Sequence, residues 1–100
     1  MASATSFYRR LGILSSSPQR AALATVVRVE GETPGKPGFK LLLFEDGRSE
    51  GTVGGGCVEE GVKELAKEVM DEGKARNIEF SLKGGKALCG GRIKVFIEPL

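Results

Sequence analysis

The stretch SEGTVGGGCVEEGVKELAKEVMDEG, residues 49–73, decides the fold, because a strand-like segment runs through three glycines directly into a helix. The apolar residues after the glycines recur with the spacing of one helix face, at Val58, Val62, Leu65 and Val69. Gly73 is typical of the residue that follows a helix in a left-handed conformation. The stretch therefore predicts a strand-to-helix connection whose helix packs one face against a sheet.

Three strands are predicted upstream. Residues 22–29 are β-branched and almost continuously apolar, as in a buried central strand. Residues 39–44 form a second candidate strand, and the Asp46-Gly47 pair after it is the strongest short hairpin signal. Residues 49–53 are then the returning strand of that hairpin.

Two more strands are predicted downstream, over residues 77–82 and 93–97, because apolar and polar side chains alternate there until Pro99. Near the N-terminus, apolar residues at helical spacing predict a short helix over residues 3–14. A Ser-Ser-Ser-Pro sequence, residues 15–18, ends that helix as a loop.

The predicted order is α-β-β-β-α-β-β in a single domain over residues 1–100. Residues 1–20 supply an N-terminal helix and loop, and residues 21–100 supply the core. This order predicts an α/β (α+β-like) fold, with a mixed sheet of about five strands and one main helix packed on it. One short N-terminal helix would leave part of the second sheet face uncovered, so a homodimer is left open.

Composition excludes several classes of function. Fifteen Lys and Arg against thirteen Asp and Glu give a net charge of only +2, whereas nucleic-acid-binding domains carry a clear basic excess. No apolar run approaches the ~20 residues that span a bilayer. The chain has no His, which excludes His-based catalytic dyads and His-based metal sites. Neither nucleic acid nor a membrane is expected as a partner.

Two cysteines, Cys57 and Cys89, are the candidate reactive groups. Small secreted disulfide frameworks usually carry more cysteines, and no secretory signal precedes these two, which predicts a reduced, cytoplasmic protein. Two thiols supply at most half of a structural zinc site. A metal held by this pair would be a soft one such as molybdenum or copper, or a zinc shared across a dimer.

Cys57 lies at the predicted helix start, where exposed backbone amides favour a thiolate. It is the one candidate catalytic residue, as a nucleophile or a sulfur acceptor; the alternative is a small buried residue in a tight turn. Gly54, Gly55 and Gly56 before it allow close approach of a ligand, and with the first helical amides they predict an anion site.

Position 59 is Glu where a dinucleotide-binding G-x-G-x-x-G motif needs Gly, so NAD is not expected. Glu59 either complements the helix dipole or takes part in acid–base chemistry. The second cysteine lies in a similar loop, Cys89-Gly90-Gly91, before the last strand. Loops at strand ends commonly build a site together, so the two Cys-Gly loops are predicted to meet.

Six short motifs, in this order and at ordinary spacing, together resemble the XdhC/CoxI family. They are ATVVRVEG (24–31), TP (33–34), PG (37–38), GTVGGGCVE (51–59), LCGG (88–91) and VFIEP (95–99), and they extend from about Leu23 to Leu100. Full-length members typically carry a second, Rossmann-like domain, which is not expected within these residues.

The resemblance implies an accessory protein for molybdenum hydroxylases such as xanthine dehydrogenase and carbon monoxide dehydrogenase. Such proteins bind molybdenum cofactor transiently, protect it while sulfur is added, and pass it to the apoenzyme. By this resemblance, Gly54, Gly55, Gly56, Cys57 and Glu59 would bind the cofactor, and Cys89, Gly90 and Gly91 would form the facing wall. The expected function is thus a binding and maturation module rather than an enzyme. The alternatives are a cysteine-dependent sulfur or redox transfer protein and a structural subunit without a ligand.

Overall fold

The structure is a computed structural model that describes residues 20–31, 33, 35–54, 56–81 and 91–100. Its elements are β1 (Ala21–Glu30), β2 (Lys40–Phe44), β3 (Ser49–Gly51), α1 (Gly56–Glu72), β4 (Arg76–Ser81) and β5 (Arg92–Pro99). These confirm the predicted β-β-β-α-β-β order, whereas the helix predicted over residues 3–14 lies outside the described residues. Within the described ranges, no helix combines the length and apolarity needed to cross a membrane.

The strands form one sheet in the order β3-β2-β1-β5-β4, with β1 in the centre as predicted. Every pairing between these strands is antiparallel, so the prediction of a mixed sheet is wrong in this respect. The reason is the path of α1, which carries the chain from β3 at one edge to β4 at the other. Consecutive strands otherwise pair as neighbours, and neighbours joined in this way run antiparallel.

The main core lies between α1 and one face of the sheet. Of the predicted helical stripe, Val58, Val62 and Val69 are confirmed as buried, at most 2% exposed, whereas Leu65 is half-buried against the same core. Ala66 beside it is fully buried. The alternation predicted for the last strand is also confirmed: Ile93, Val95 and Ile97 all point into this core. Burial of this shared apolar surface is what fixes the helix on the sheet.

The outer face of the sheet, opposite α1, divides into two halves. At one end, Ala21, Leu23 and Leu42 are buried in a second, smaller apolar cluster. Toward the other end, the outward positions of β1, β5 and β4 are exposed and charged. The buried character predicted for residues 22–29 therefore holds only for the first half of β1.

A bulge at Val27 separates the two halves of β1. The pairing of β1 with β5 shifts register between Val26 and Arg28, so Val27 has no partner in β5. Val26 is 1% exposed on the α1 side, and Val27 is 46% exposed. An extra residue in one strand commonly bends and twists it, which explains why an apolar residue of the central strand reaches solvent.

Arg20 stabilises the end of the sheet where β1 begins. Its Nε donates to Glu45 Oε2 at 3.0 Å and one terminal nitrogen donates to Asp71 Oδ1 at 3.1 Å, so the hairpin and the end of α1 are tied together. The Arg20 side chain, with its backbone N–H, lowers the pKa of the Glu45 carboxyl below its ordinary value.

Replacement of Glu45 by Gln is expected to lower stability near neutral pH and to have a smaller effect in acid. A carboxyl whose pKa is lowered by folding stabilises the protein above its unfolded pKa, and this contribution is lost as the pH falls through the folded value. The unfolded value is close to 4.5. Urea midpoints of wild type and Glu45→Gln should therefore converge as the pH falls below 4.5 and through the folded pKa of Glu45. Glu64→Gln, at an exposed position of α1, is the control, and a difference independent of pH would contradict the prediction.

Candidate functional site

The described parts of the predicted site segments lie at one end of the sheet, termed the loop edge, which comprises residues 31, 33, 35–39, 52–54 and 91. β1 ends here, with Glu30 opposite Arg92 at the start of β5. β3 ends here as well, with Gly51 opposite Leu41 of β2. The antiparallel pairing therefore places the ends of the β1–β2, β3–α1 and β4–β5 connections at the same end of the sheet. α1 begins after the second of these.

Gly35 packs directly against the connection that leads into α1. Gly35 is buried, and a Cβ built there would overlap the carbonyl oxygen of Val53 and lie 3.1 Å from Ile93 Cδ1. The Thr33 hydroxyl donates to the Gly35 carbonyl at 2.7 Å and holds the turn. Only glycine leaves enough room for these two backbone segments to touch.

The same loop also contacts the end of the Cys-Gly-Gly segment. A Cβ built at Gly31 would lie 3.1 Å from the Cα of Gly91, so the two glycines meet backbone to backbone. Both have a left-handed φ, of 74° for Gly31 and 84° for Gly91. Gly35 and Gly31 therefore link the two segments that the sequence singled out, Gly35 through Val53 and Gly31 through Gly91.

The turn before α1 has a defined backbone. Thr52 N–H donates to the Lys40 carbonyl at 2.9 Å and continues the pairing of β2 with β3. Gly54 is buried with φ 131°, a conformation that other residues rarely adopt, and its N–H donates to Thr52 Oγ1 at 3.0 Å. α1 then begins at Gly56, so Cys57 lies in the first helical turn, as predicted.

The described residues account for part of the predicted site. Gly54, Gly56, Cys57 and Glu59 follow one another along the turn and the first turn of α1, where a half-buried Glu59 complements the helix dipole. Gly91 lies on the facing segment. Gly55, Cys89 and Gly90 lie outside the described residues, so the meeting of the two cysteines stays a prediction. Over the ranges that the structure describes, no group of three or more Cys, Asp or Glu could hold a metal ion.

Two glycines that help to form the loop edge were not identified from the sequence. Gly31 and Gly35 belong to a segment that the sequence identifies only as a turn-rich loop. The density of Pro and Gly over residues 34–38 indicates a tight loop, but no local pattern says that it packs on Val53. Lys40, at the end of this loop, lies on the outer face, where its Nζ donates to Thr25 Oγ1 at 3.2 Å.

Comparison with known proteins gives consistent matches. The sequence model of the XdhC and CoxI family matches residues 14–81. A protein from Bacillus subtilis named as a probable xanthine dehydrogenase subunit is 33% identical over 101 residues, which cover 94% of this chain and 31% of that protein. The molybdenum cofactor insertion chaperone PaoD from Escherichia coli is 34% identical over 89 residues, covering 84% of this chain and 28% of that protein.

A solved structure has the same fold. The crystal structure of a xanthine dehydrogenase from Bacillus halodurans superimposes with a TM-score of 0.77 at 32% sequence identity, covering 91% of this chain and 29% of that one. The chain thus spans less than a third of the length of each of these relatives.

Replacement of Gly35 by Ala is expected to destabilise the protein by about 3 kcal/mol, because the new methyl group meets main chain that cannot rotate away. Gly47→Ala is the matched control: Gly47 has φ 95° but open space around its Cα, so its cost is limited to about 1 kcal/mol of backbone strain. Urea unfolding of both variants measures the difference. Equal losses in the free energy of unfolding for the two variants would show that the contact with Val53 does not require glycine at position 35.

Proposed function

Because the chain belongs to the XdhC and CoxI family, we propose that it binds molybdenum cofactor, or a related anionic pterin, during the maturation of a molybdenum enzyme. The name of PaoD, an insertion chaperone for this cofactor, supports the maturation role. The observation that carries the proposal is the turn from β3 into α1, with Cys57 in the first helical turn, held against a loop that also contacts Gly91.

The residues at this turn fit an anionic group. The first amides of a helix have no partner within the helix and carry partial positive charge, which suits a phosphate. Gly54 and the glycines after it keep side chains away from these amides, so an anion can approach the backbone. We expect Gly54, Gly55 and Gly56 to hold the phosphate end of the pterin.

The thiols would act at the other end of the ligand. When bound, the cofactor supplies the molybdenum centre that the client enzyme requires. A thiolate is a suitable soft ligand for molybdenum, and the helix start favours the thiolate form of Cys57. Cys89, Gly90 and Gly91 would close the site from the facing loop, since Gly91 already lies against Gly31. Glu59 would remain a partner of the helix amides on the margin of the site.

The proposed role is holding and transfer rather than catalysis. The chain would take up the cofactor, shield it while sulfur is added and release it to the apoenzyme of a molybdenum hydroxylase. A cysteine-dependent sulfur transfer by Cys57 is a second candidate, and it draws on the same observation, the position of Cys57 in the first turn of α1. In the first candidate function the Cys57 thiol only binds the cofactor, whereas in the second it reacts.

Retention of the cofactor tests the leading proposal. Purified protein is mixed with freshly released molybdopterin, and pterin fluorescence is followed through gel filtration. Wild type is expected to retain the pterin, and Cys57→Ala about tenfold less, because it loses the thiol but keeps the helix amides. Lys74→Ala, at an exposed position after α1, is the control and should behave as wild type.

Failure of wild type and Cys57→Ala alike to retain the pterin would refute cofactor binding. Wild-type retention that is unchanged in Cys57→Ala and in Cys89→Ala would keep the glycine turn as the site and remove both thiols from it.

The reactivity of Cys57 tests the second candidate. In a Cys89→Ala background, Cys57 is the one remaining thiol, and its alkylation rate is measured from mildly acidic to alkaline pH. Sulfur transfer predicts a rate that already reaches its plateau near neutral pH, because the helix start stabilises the thiolate. A profile centred near the ordinary value of about 8.5 would argue against a reactive role.

A further inference from the structure

The exposed half of the outer face forms a charged surface next to the loop edge. Its charged members are Arg28 and Glu30 of β1, Arg92 and Lys94 of β5, and Glu79 of β4. Strand pairing places them in two adjacent rows, with Lys94 between Arg28 and Glu79 and with Arg92 beside Glu30. This group of residues is termed the charged half.

The charged half contains a cross-strand pair of like charge. Arg28 lies directly opposite Lys94, both are exposed, and like charges in this position destabilise a sheet. Arg28 forms an ion pair with Glu30, with 3.0 Å between a guanidinium nitrogen and Oε1. Arg92 forms one with Glu79 at 3.8 Å between the corresponding atoms. Lys94 also lies opposite Glu79, but Glu79 pairs with Arg92, and Lys94 forms no ion pair with any residue that the structure describes. An external carboxylate would relieve this repulsion.

The shape of the charged half suits another protein better than a small ligand. The depression between its side chains has a volume of about 50 Å³, whereas small-molecule sites usually enclose several hundred Å³. Half-buried Phe96, between the core-facing Val95 and Ile97, adds apolar surface on this side of the sheet, and Val27 at the bulge is 46% exposed. Apolar and arginine side chains surrounded by polar ones are characteristic of protein interfaces.

The charges of this surface also favour a protein over a nucleic acid as its partner. Glu30 and Glu79 lie within the charged half and would repel the phosphates of a nucleic acid at close range. A folded protein can place carboxylates against Arg28 and Lys94 and basic groups against the two glutamates. The mixed pattern therefore fits a protein surface in which acidic residues predominate.

We propose that the charged half docks onto an acidic surface of the molybdenum apoenzyme that the chain serves, a partner whose identity rests on the proposed function. Arg28 is three residues from Gly31, which corresponds to roughly 10 Å along a strand. A partner bound here would lie beside the loop edge and could receive a ligand from it over a short distance.

The test is binding to the cofactor-free molybdenum hydroxylase of the same organism, measured by surface plasmon resonance at low and high salt. Arg28→Glu with Lys94→Glu is expected to weaken binding about tenfold or more at low salt, with a smaller effect at high salt. The matched control, Lys67→Glu with Lys74→Glu, removes the same charge from exposed positions elsewhere and should bind as wild type. Circular dichroism of each variant reports folding.

Three outcomes would overturn the docking proposal: no binding of the wild type to the apoenzyme, equal binding by the two double variants, or a wild-type dimer that only Arg28→Glu with Lys94→Glu dissociates. The last would make a second copy of this chain the occupant. Pterin retention, measured in parallel, distinguishes the two proposals. A charge-dependent docking without pterin retention would leave the surface assigned and refute cofactor binding.

Discussion

The close contact between Gly35 and the main chain of Val53 is the constraint on which the loop edge depends. Val53 is the second residue after β3, and its neighbour Gly54 begins the turn into α1. A loop that rests on this peptide fixes both the direction in which the chain leaves the sheet and the place where the helix begins. Because Gly31, in the same loop, touches Gly91, the facing segment is positioned by the same packing.

The opposite end of the molecule is held by different forces. There, Arg20 joins β1, the hairpin after β2 and the last turn of α1 through exposed ion pairs and hydrogen bonds. Such surface pairs contribute little individually and are sensitive to pH and salt. At the loop edge, by contrast, the contacts are steric and backbone to backbone, so they do not depend on pH or salt.

Sequence periodicity predicted the elements well because each is determined locally. The stripe from Val58 to Val69 and the alternation around Val95 could be identified without knowledge of their partners, whereas the direction of strand pairing could not. That direction depends on where α1 delivers the chain, which is decided by packing against β1 and β5. The bulge at Val27 and the contact of Gly35 with Val53 were not predicted from the sequence for the same reason, since each arises from residues far apart in sequence.

The two halves of β1 are under different structural constraints. Its first four residues, Ala21 to Ala24, are buried and belong to the two apolar clusters, so these positions admit only small or apolar residues. Beyond Val27 its outward residues are free of the core and can be selected for a partner, while the strand end at Gly31 stays part of the loop edge. The bulge at Val27 is thus the point at which the outward positions of β1 change from buried to exposed. It also means that docking and ligand binding would share one rigid element, so a partner on the charged half would meet the loop edge in a fixed orientation.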